Sequence, residues 1–117
     1  MSKEFNIDET DLTIGPLEKA TACYQAGRSA KSAGEIAGAE KLFFRAIQLY
    51  DMAERPDMVL ECAHELGQAE PKKSADLYAQ AIQFFIDQGD DRTASDIIKE
   101  SGLPELILRF EEHYLVE

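Results

Sequence analysis

From Pro16 onward, apolar residues return at three- and four-residue intervals in six successive stretches. Leu17, Ala20, Cys23, Tyr24 and Gly27 follow Pro16, and Met58, Val59, Cys62, Ala63 and Leu66 follow Pro56. Leu77, Tyr78, Ala81, Ile82 and Phe85 follow Pro71, and Leu106, Ile107, Phe110 and Tyr114 follow Pro104. This spacing places each set on one face of an α-helix. Proline suits a helix's first turn, where the N–H it lacks would have no partner. Two further helices begin without proline. Ser32-Ala33-Gly34-Glu35 has the spacing of a capping box and opens a stretch carrying Ala39, Leu42, Phe43, Ala46, Ile47, Tyr50 and Ala53. Gly89-Asp90-Asp91 ends the fourth helix and offers Asp caps to a fifth, which carries Ala94, Ile97 and Ile98 and stops at Gly102. The pattern predicts helices near 16–31, 35–53, 57–69, 72–88, 91–101 and 104–116. The short connections make neighbours antiparallel. Residues 1–15, with Phe5, Ile7, Leu12 and Ile14 alternating among acids, are expected to form an acidic arm ahead of one helical domain, 16–117.

The second and fourth helices repeat one another. Ala46-Ile47-Gln48-Leu49-Tyr50 returns as Ala81-Ile82-Gln83-Phe84-Phe85, an offset of 35, at which Phe43 matches Tyr78, Ala39 matches Ser74 and Gly67 matches Gly102. Gly27 precedes Gly67 by 40, so the first hairpin is five residues longer. A small, a large and a small residue on one face let helices approach closely, with the aromatic expected to fill the groove between hairpins. The same offset yields Arg109, His113 and Val116 in a degenerate third copy, as terminal repeats often are. Small-x-x-x-aromatic-x-x-small with an upstream glycine resembles the tetratricopeptide (TPR) pattern. Within that superfamily, Tyr24-Gln25-Ala26-Gly27, Ala46 to Tyr50, Pro71 to Tyr78 and the helix ending at Gly102 resemble the SNAP family, attachment proteins of vesicle fusion, especially the gamma type. The resemblance implies an all-α, right-handed superhelix of three hairpins and a protein-binding role in vesicle trafficking or intracellular protein transport.

Composition narrows the function classes. The chain carries a net charge of −11, of which residues 1–14 supply −3 and residues 87–117 supply −6. Such acidity repels phosphate backbones and anionic headgroups, so nucleic acid and membrane are not expected partners. A protein with a basic surface or a helical segment is. Cys23 and Cys62 lie on apolar stripes without C-x-x-C spacing and are read as buried reduced thiols. No stretch has the apolar core of a signal peptide or the length of a membrane span, so a cytoplasmic location is expected.

Candidate chemistry is sparse, and no enzyme or cofactor is expected. Glu61 and His64 form one Glu-x-x-His pair, but His113 has Phe110 three residues before it, so the second pair of a di-iron bundle is missing. Metal binding through Glu61 and His64 is thus only a remote alternative. Gly27-Arg28-Ser29-Ala30-Lys31-Ser32 lacks the glycines of a phosphate loop and follows a helix, not a strand. Asp87, Asp90 and Asp91 lack the remainder of a calcium loop. Phe44, Phe84 and Ile86 flank the main stripes and are read as packing between hairpins. Function is therefore assigned to the first helix of each hairpin, lining a concave groove, with Gln25, Arg28, Glu61, Glu65, Asp96 and Lys99 as partner contacts. The alternative is a self-assembling module or a fragment of a longer SNAP-like protein, pairing through its sixth helix as a homodimer.

Overall fold

The structure is a computed structural model and describes residues 14–116. The expected acidic arm lies outside the described residues except for Ile14 and Gly15. Among the described residues all regular structure is helical: α1 (Pro16–Ser32), α2 (Ile36–Met52), α3 (Pro56–Gln68), α4 (Ser74–Asp87), α5 (Asp91–Ser101) and α6 (Pro104–Arg109), with 3-10 turns at Pro71–Lys73 and Glu111–His113. Proline opens α1, α3 and α6 as the sequence predicts. Pro71 instead opens the short 3-10 turn that leads into α4.

The turns between helices are set chiefly by C-terminal caps. After α1, Glu35 N donates to Ala30 O (2.9 Å) and Gly34 N to Lys31 O (3.0 Å), with Gly34 at φ 81°. This is a Schellman motif, in which a left-handed residue lets two N–H groups satisfy the helix's last carbonyls. It recurs after α2 around Glu54 and after α4 around Gly89. The expected capping box does not form. Ser32 is consumed as the last residue of α1, and neither it nor Glu35 makes a side-chain cap. The Asp cap on α5 does form: Asp90 Oδ1 accepts from Thr93 N at 3.1 Å and Oδ2 from Thr93 Oγ1 at 2.7 Å.

Each of α1 to α4 packs against the next, and α3 also packs on α5, α2 on α4 and α4 on α6. The molecule measures 45 × 32 × 19 Å. A helix with its side chains is about 10 Å across, so the smallest dimension is two helices thick. The core runs through the middle of this slab. Phe43, Ile47, Leu66, Tyr78, Ile82, Phe85, Ile97, Ile98 and Leu106 are all essentially inaccessible. Each such side chain contributes about 1.5–3 kcal/mol over its exposed state. The repeat positions Ala39, Phe43 and Ala46 are buried, as are Tyr78 and Ala81.

The repeated glycine and aromatic serve one contact within each of the first two helix pairs, α1–α2 and α3–α4. A Cβ on Gly27 would stand 2.8 Å from the Phe43 ring, and one on Gly67 would collide with the Tyr78 ring. Both rings are buried, so neither has room to retreat. The aromatic therefore wedges onto the glycine of its own hairpin partner rather than filling a groove between hairpins. Gly102, which the 35-residue offset equates with Gly67, has another role. It holds φ 66° at the end of α5 and nothing lies near its Cβ position.

The sixth helix is much shorter than its pattern predicts, ending at Arg109 rather than near 116. Phe110 turns into the core, Glu111–His113 form a 3-10 turn, and Tyr114–Val116 run on as a strap over α5. Ser95, the one buried polar residue among those described, holds the strap: Leu115 N donates to Ser95 Oγ at 2.9 Å, and Ser95 Oγ lies 3.4 Å from Leu115 O. His113 Nδ1 sits 3.0 Å from Asp91 Oδ1, and Lys99 Nζ lies 5.7 Å from the Tyr114 ring centroid.

Candidate partner-binding face

The six sequence-assigned contact residues all lie on odd-numbered helices: Gln25 and Arg28 on α1, Glu61 and Glu65 on α3, Asp96 and Lys99 on α5. Five of these side chains are exposed and Glu65 is half-buried. The inward stripe of α1 (Ala20, Cys23, Gly27, Ala30) and that of α3 (Val59, Cys62, Ala63, Leu66) turn the residues beside them outward.

The structure brings four of the six together. Arg28 and Glu65 line one depression between α1 and α3, with Lys31 and Ser32. Gln25 and Arg28 line a second, with Ser29, Ser32 and Ala33. Glu61 joins them through Tyr24, whose hydroxyl donates to Glu61 Oε1 at 3.4 Å. The Arg28 guanidinium lies 5.8 Å from the centroid of the same ring. Burial raises the Tyr24 pKa above its usual value of 10.0, and the Glu61 and Glu65 carboxylates raise it further against the opposing pull of Arg28. Tyr24 thus stands in a field that is negative toward α3 and positive toward the end of α1.

Asp96 and Lys99 line neither depression, and Lys99 is drawn to the strap by Tyr114. Tyr78 continues the polar face toward α5. Its ring is buried, but its hydroxyl accepts from Gln68 Nε2 at 3.3 Å and lies 3.5 Å from His64 Nδ1. Burial raises the Tyr78 pKa, with Gln68 opposing and Glu100 adding to the rise. Sequence reasoning missed the polar work of these two tyrosines because their rings match the apolar stripe. The signal was present in the four-residue step from Tyr24 to Arg28, which sets a cation against a ring on one helical face.

The remaining candidate chemistry is placed as follows. Glu61 and His64 contact different tyrosines, and no group of three or more His, Cys, Asp or Glu among the described residues could hold a metal ion. Cys62 is buried with Val59, Ala63 and Leu66 on the inner stripe of α3. Burial pushes its thiol up, and Glu61, Glu65 and Cys23 add to the rise. Phe44 and Phe84 are half-buried and meet edge to face, with centroids 5.8 Å apart, which joins α2 to α4. No helix among the described residues is long and apolar enough to cross a membrane.

Comparison with protein-family models, with curated proteins and with solved structures returned no match.

Proposed function

We propose that the chain is a TPR-like interaction scaffold, its hairpins wound in a right-handed superhelix, which holds a segment of a protein partner against α1, α3 and α5. The observation that carries this reading is the mixed-charge, tyrosine-bearing face of α1 and α3. Arg28, Glu61 and Glu65 surround Tyr24 there, and Arg28 and Glu61 are exposed and dispensable to the core. Tyrosine and arginine supply a large share of binding energy at protein interfaces, and a paired array of opposite charges selects a partner's register as well as its sign. The resemblance to SNAP proteins makes vesicle trafficking or intracellular protein transport in the cytoplasm the process proposed. The reading is of a binding protein without a catalytic centre.

The test is affinity capture from native cytosol by the full chain and by a triple variant, Arg28→Ala, Glu61→Ala and Glu65→Ala. The reading expects the variant to keep the wild-type melting curve and to lose the partner. Retention of the same partner at unchanged affinity would overturn it.

A further inference from the structure

The sixth helix carries a second surface, independent of the face proposed above. Of its six residues, Pro104-Glu105-Leu106-Ile107-Leu108-Arg109, only two are polar. Leu106 is fully buried, whereas Leu108 is 74% exposed and Ile107 is 36% exposed. Leu103 lies four residues before Ile107 and Pro104 four before Leu108. These four residues therefore form one continuous apolar arc that runs outward from the core contact of Leu106 and Phe110. The rim is acidic. Glu105 lies one turn before Leu108, Glu111 and Glu112 begin the turn that follows, and all three are exposed. The cation beside them is engaged elsewhere: Arg109 Nη1 lies 3.5 Å from Asp76 Oδ1 on α4, and its guanidinium lies 5.5 Å from the centroid of the Phe110 ring. Beside this rim a cleft opens between α4 and the end of α6, with Ile86 and Phe110 as its apolar lining and Glu111 and Glu112 at its edge.

We propose that the outer face of α6 docks a partner helix bearing an apolar stripe flanked by Lys or Arg. Charge decides the occupant. Residues 87–117 carry nine acids against three bases, so a second copy would bring like charge to like at this end of the molecule. An anionic bilayer is repelled for the same reason. A cationic amphipathic helix gains on both counts: its stripe covers Ile107 and Leu108, and its flanks meet Glu105, Glu111 and Glu112. The surface fits one or two turns of such a helix, since α6 spans about 9 Å at 1.5 Å per residue.

The probe is a labelled synthetic helix with a leucine stripe and lysine flanks, titrated against the full chain by fluorescence anisotropy. A helix with the same leucine stripe and glutamate flanks is the control. Two variants are compared, Ile107→Ser with Leu108→Ser, and Glu105→Lys with Glu111→Lys and Glu112→Lys. The serine variant alters exposed positions and leaves the net charge unchanged. It is expected to keep its melting curve and to bind the lysine probe at least about tenfold more weakly, since two aliphatic side chains lose their cover on docking. The lysine variant is expected to exchange preference between the two probes. Undiminished binding by the serine variant would reduce the interaction to general attraction for an acidic protein and overturn the proposal. Equal binding of the two probes by the wild type would overturn it, as would a concentration-dependent dimer abolished by the serine substitutions.

Discussion

Glu54 holds a backbone conformation that glycine holds at the two equivalent turns. Its φ is 57°, against 81° at Gly34 and 77° at Gly89, and all three sit at the same step of a Schellman cap. A side chain in this region meets its own carbonyl, at about 1–2 kcal/mol, partly offset by glycine's freedom in the unfolded chain. Glu54→Gly is therefore expected to stabilise the fold by roughly 0.5–1 kcal/mol, and Gly34→Ala to destabilise it by about 1 kcal/mol. Nothing stands near the Gly34 Cβ position, so conformation alone sets that sign, and urea denaturation reads both changes. Cys62 supplies a pH dependence. Burial keeps its thiol protonated in the fold at pH values where the unfolded thiol, near its usual 9.0, ionises. The unfolded state then binds fewer protons, so the stability contribution is full below pH 9 and is lost as pH rises above it. One such proton gives a slope of up to about 1.4 kcal/mol per pH unit. Tyr24 and Tyr78, both raised from 10.0, add the same sign at higher pH. Cys62→Ala is expected to flatten the decline between pH 9 and 10 in urea denaturation curves; an unchanged decline would contradict this assignment.

Helix starts were legible at three of the four prolines and at the aspartate cap, because both act through the local backbone, whereas Pro71 opens the 3-10 turn before α4. Pro16, Pro56 and Pro104 open helices, and Asp90 caps one. The start of α2 was placed within one residue, but its cap was misread because two local signals compete at 32–35. Gly34 can close α1 from its C-terminal side, and the carbonyls it satisfies outweigh a Ser–Glu cap that would need Ser32 outside the helix. The end of α6 was illegible for a different reason. Its apolar spacing continues to Tyr114, but Glu111 and Glu112 would place two acids at a helix C-terminus, against the helix dipole. Ser95, twenty residues upstream of Leu115, offers the strap a tertiary alternative. No local pattern announces such a partner. Ser95→Ala removes both contacts, each worth about 1 kcal/mol at most. Amide exchange across residues 111–116 is expected to speed up about fivefold or more in that variant, with α1 and α2 unchanged. Uniform acceleration throughout the chain would mean that Ser95 supports the whole core instead. The candidate face was half legible. Helical phase found Arg28, Glu61 and Glu65, but Lys99 shares their phase and is drawn to Tyr114, a contact created by the early end of α6.

Across the whole molecule, a charge of −11 on 117 residues opposes compaction while the two-helix-thick core favours it. Salt screens the first and leaves the second intact. Raising sodium chloride from about 0.02 to 0.2 M, where the Debye length falls from about 20 to 7 Å, is expected to raise the melting temperature; a fall would show that net attraction among surface charges dominates. The packing of α1 on α2 and of α3 on α4 rests on a small residue meeting a large ring, Gly27 with Phe43 and Gly67 with Tyr78. A double-mutant cycle at the second pair tests this most directly. Gly67→Ala is expected to cost about 1–3 kcal/mol in the presence of Tyr78, by overpacking. In a Tyr78→Leu background the same change should become neutral or stabilising by up to about 1 kcal/mol, since alanine is the better helix former once the ring is gone. An equal cost in both backgrounds would mean that the ring and the glycine do not form the contact that joins α3 to α4.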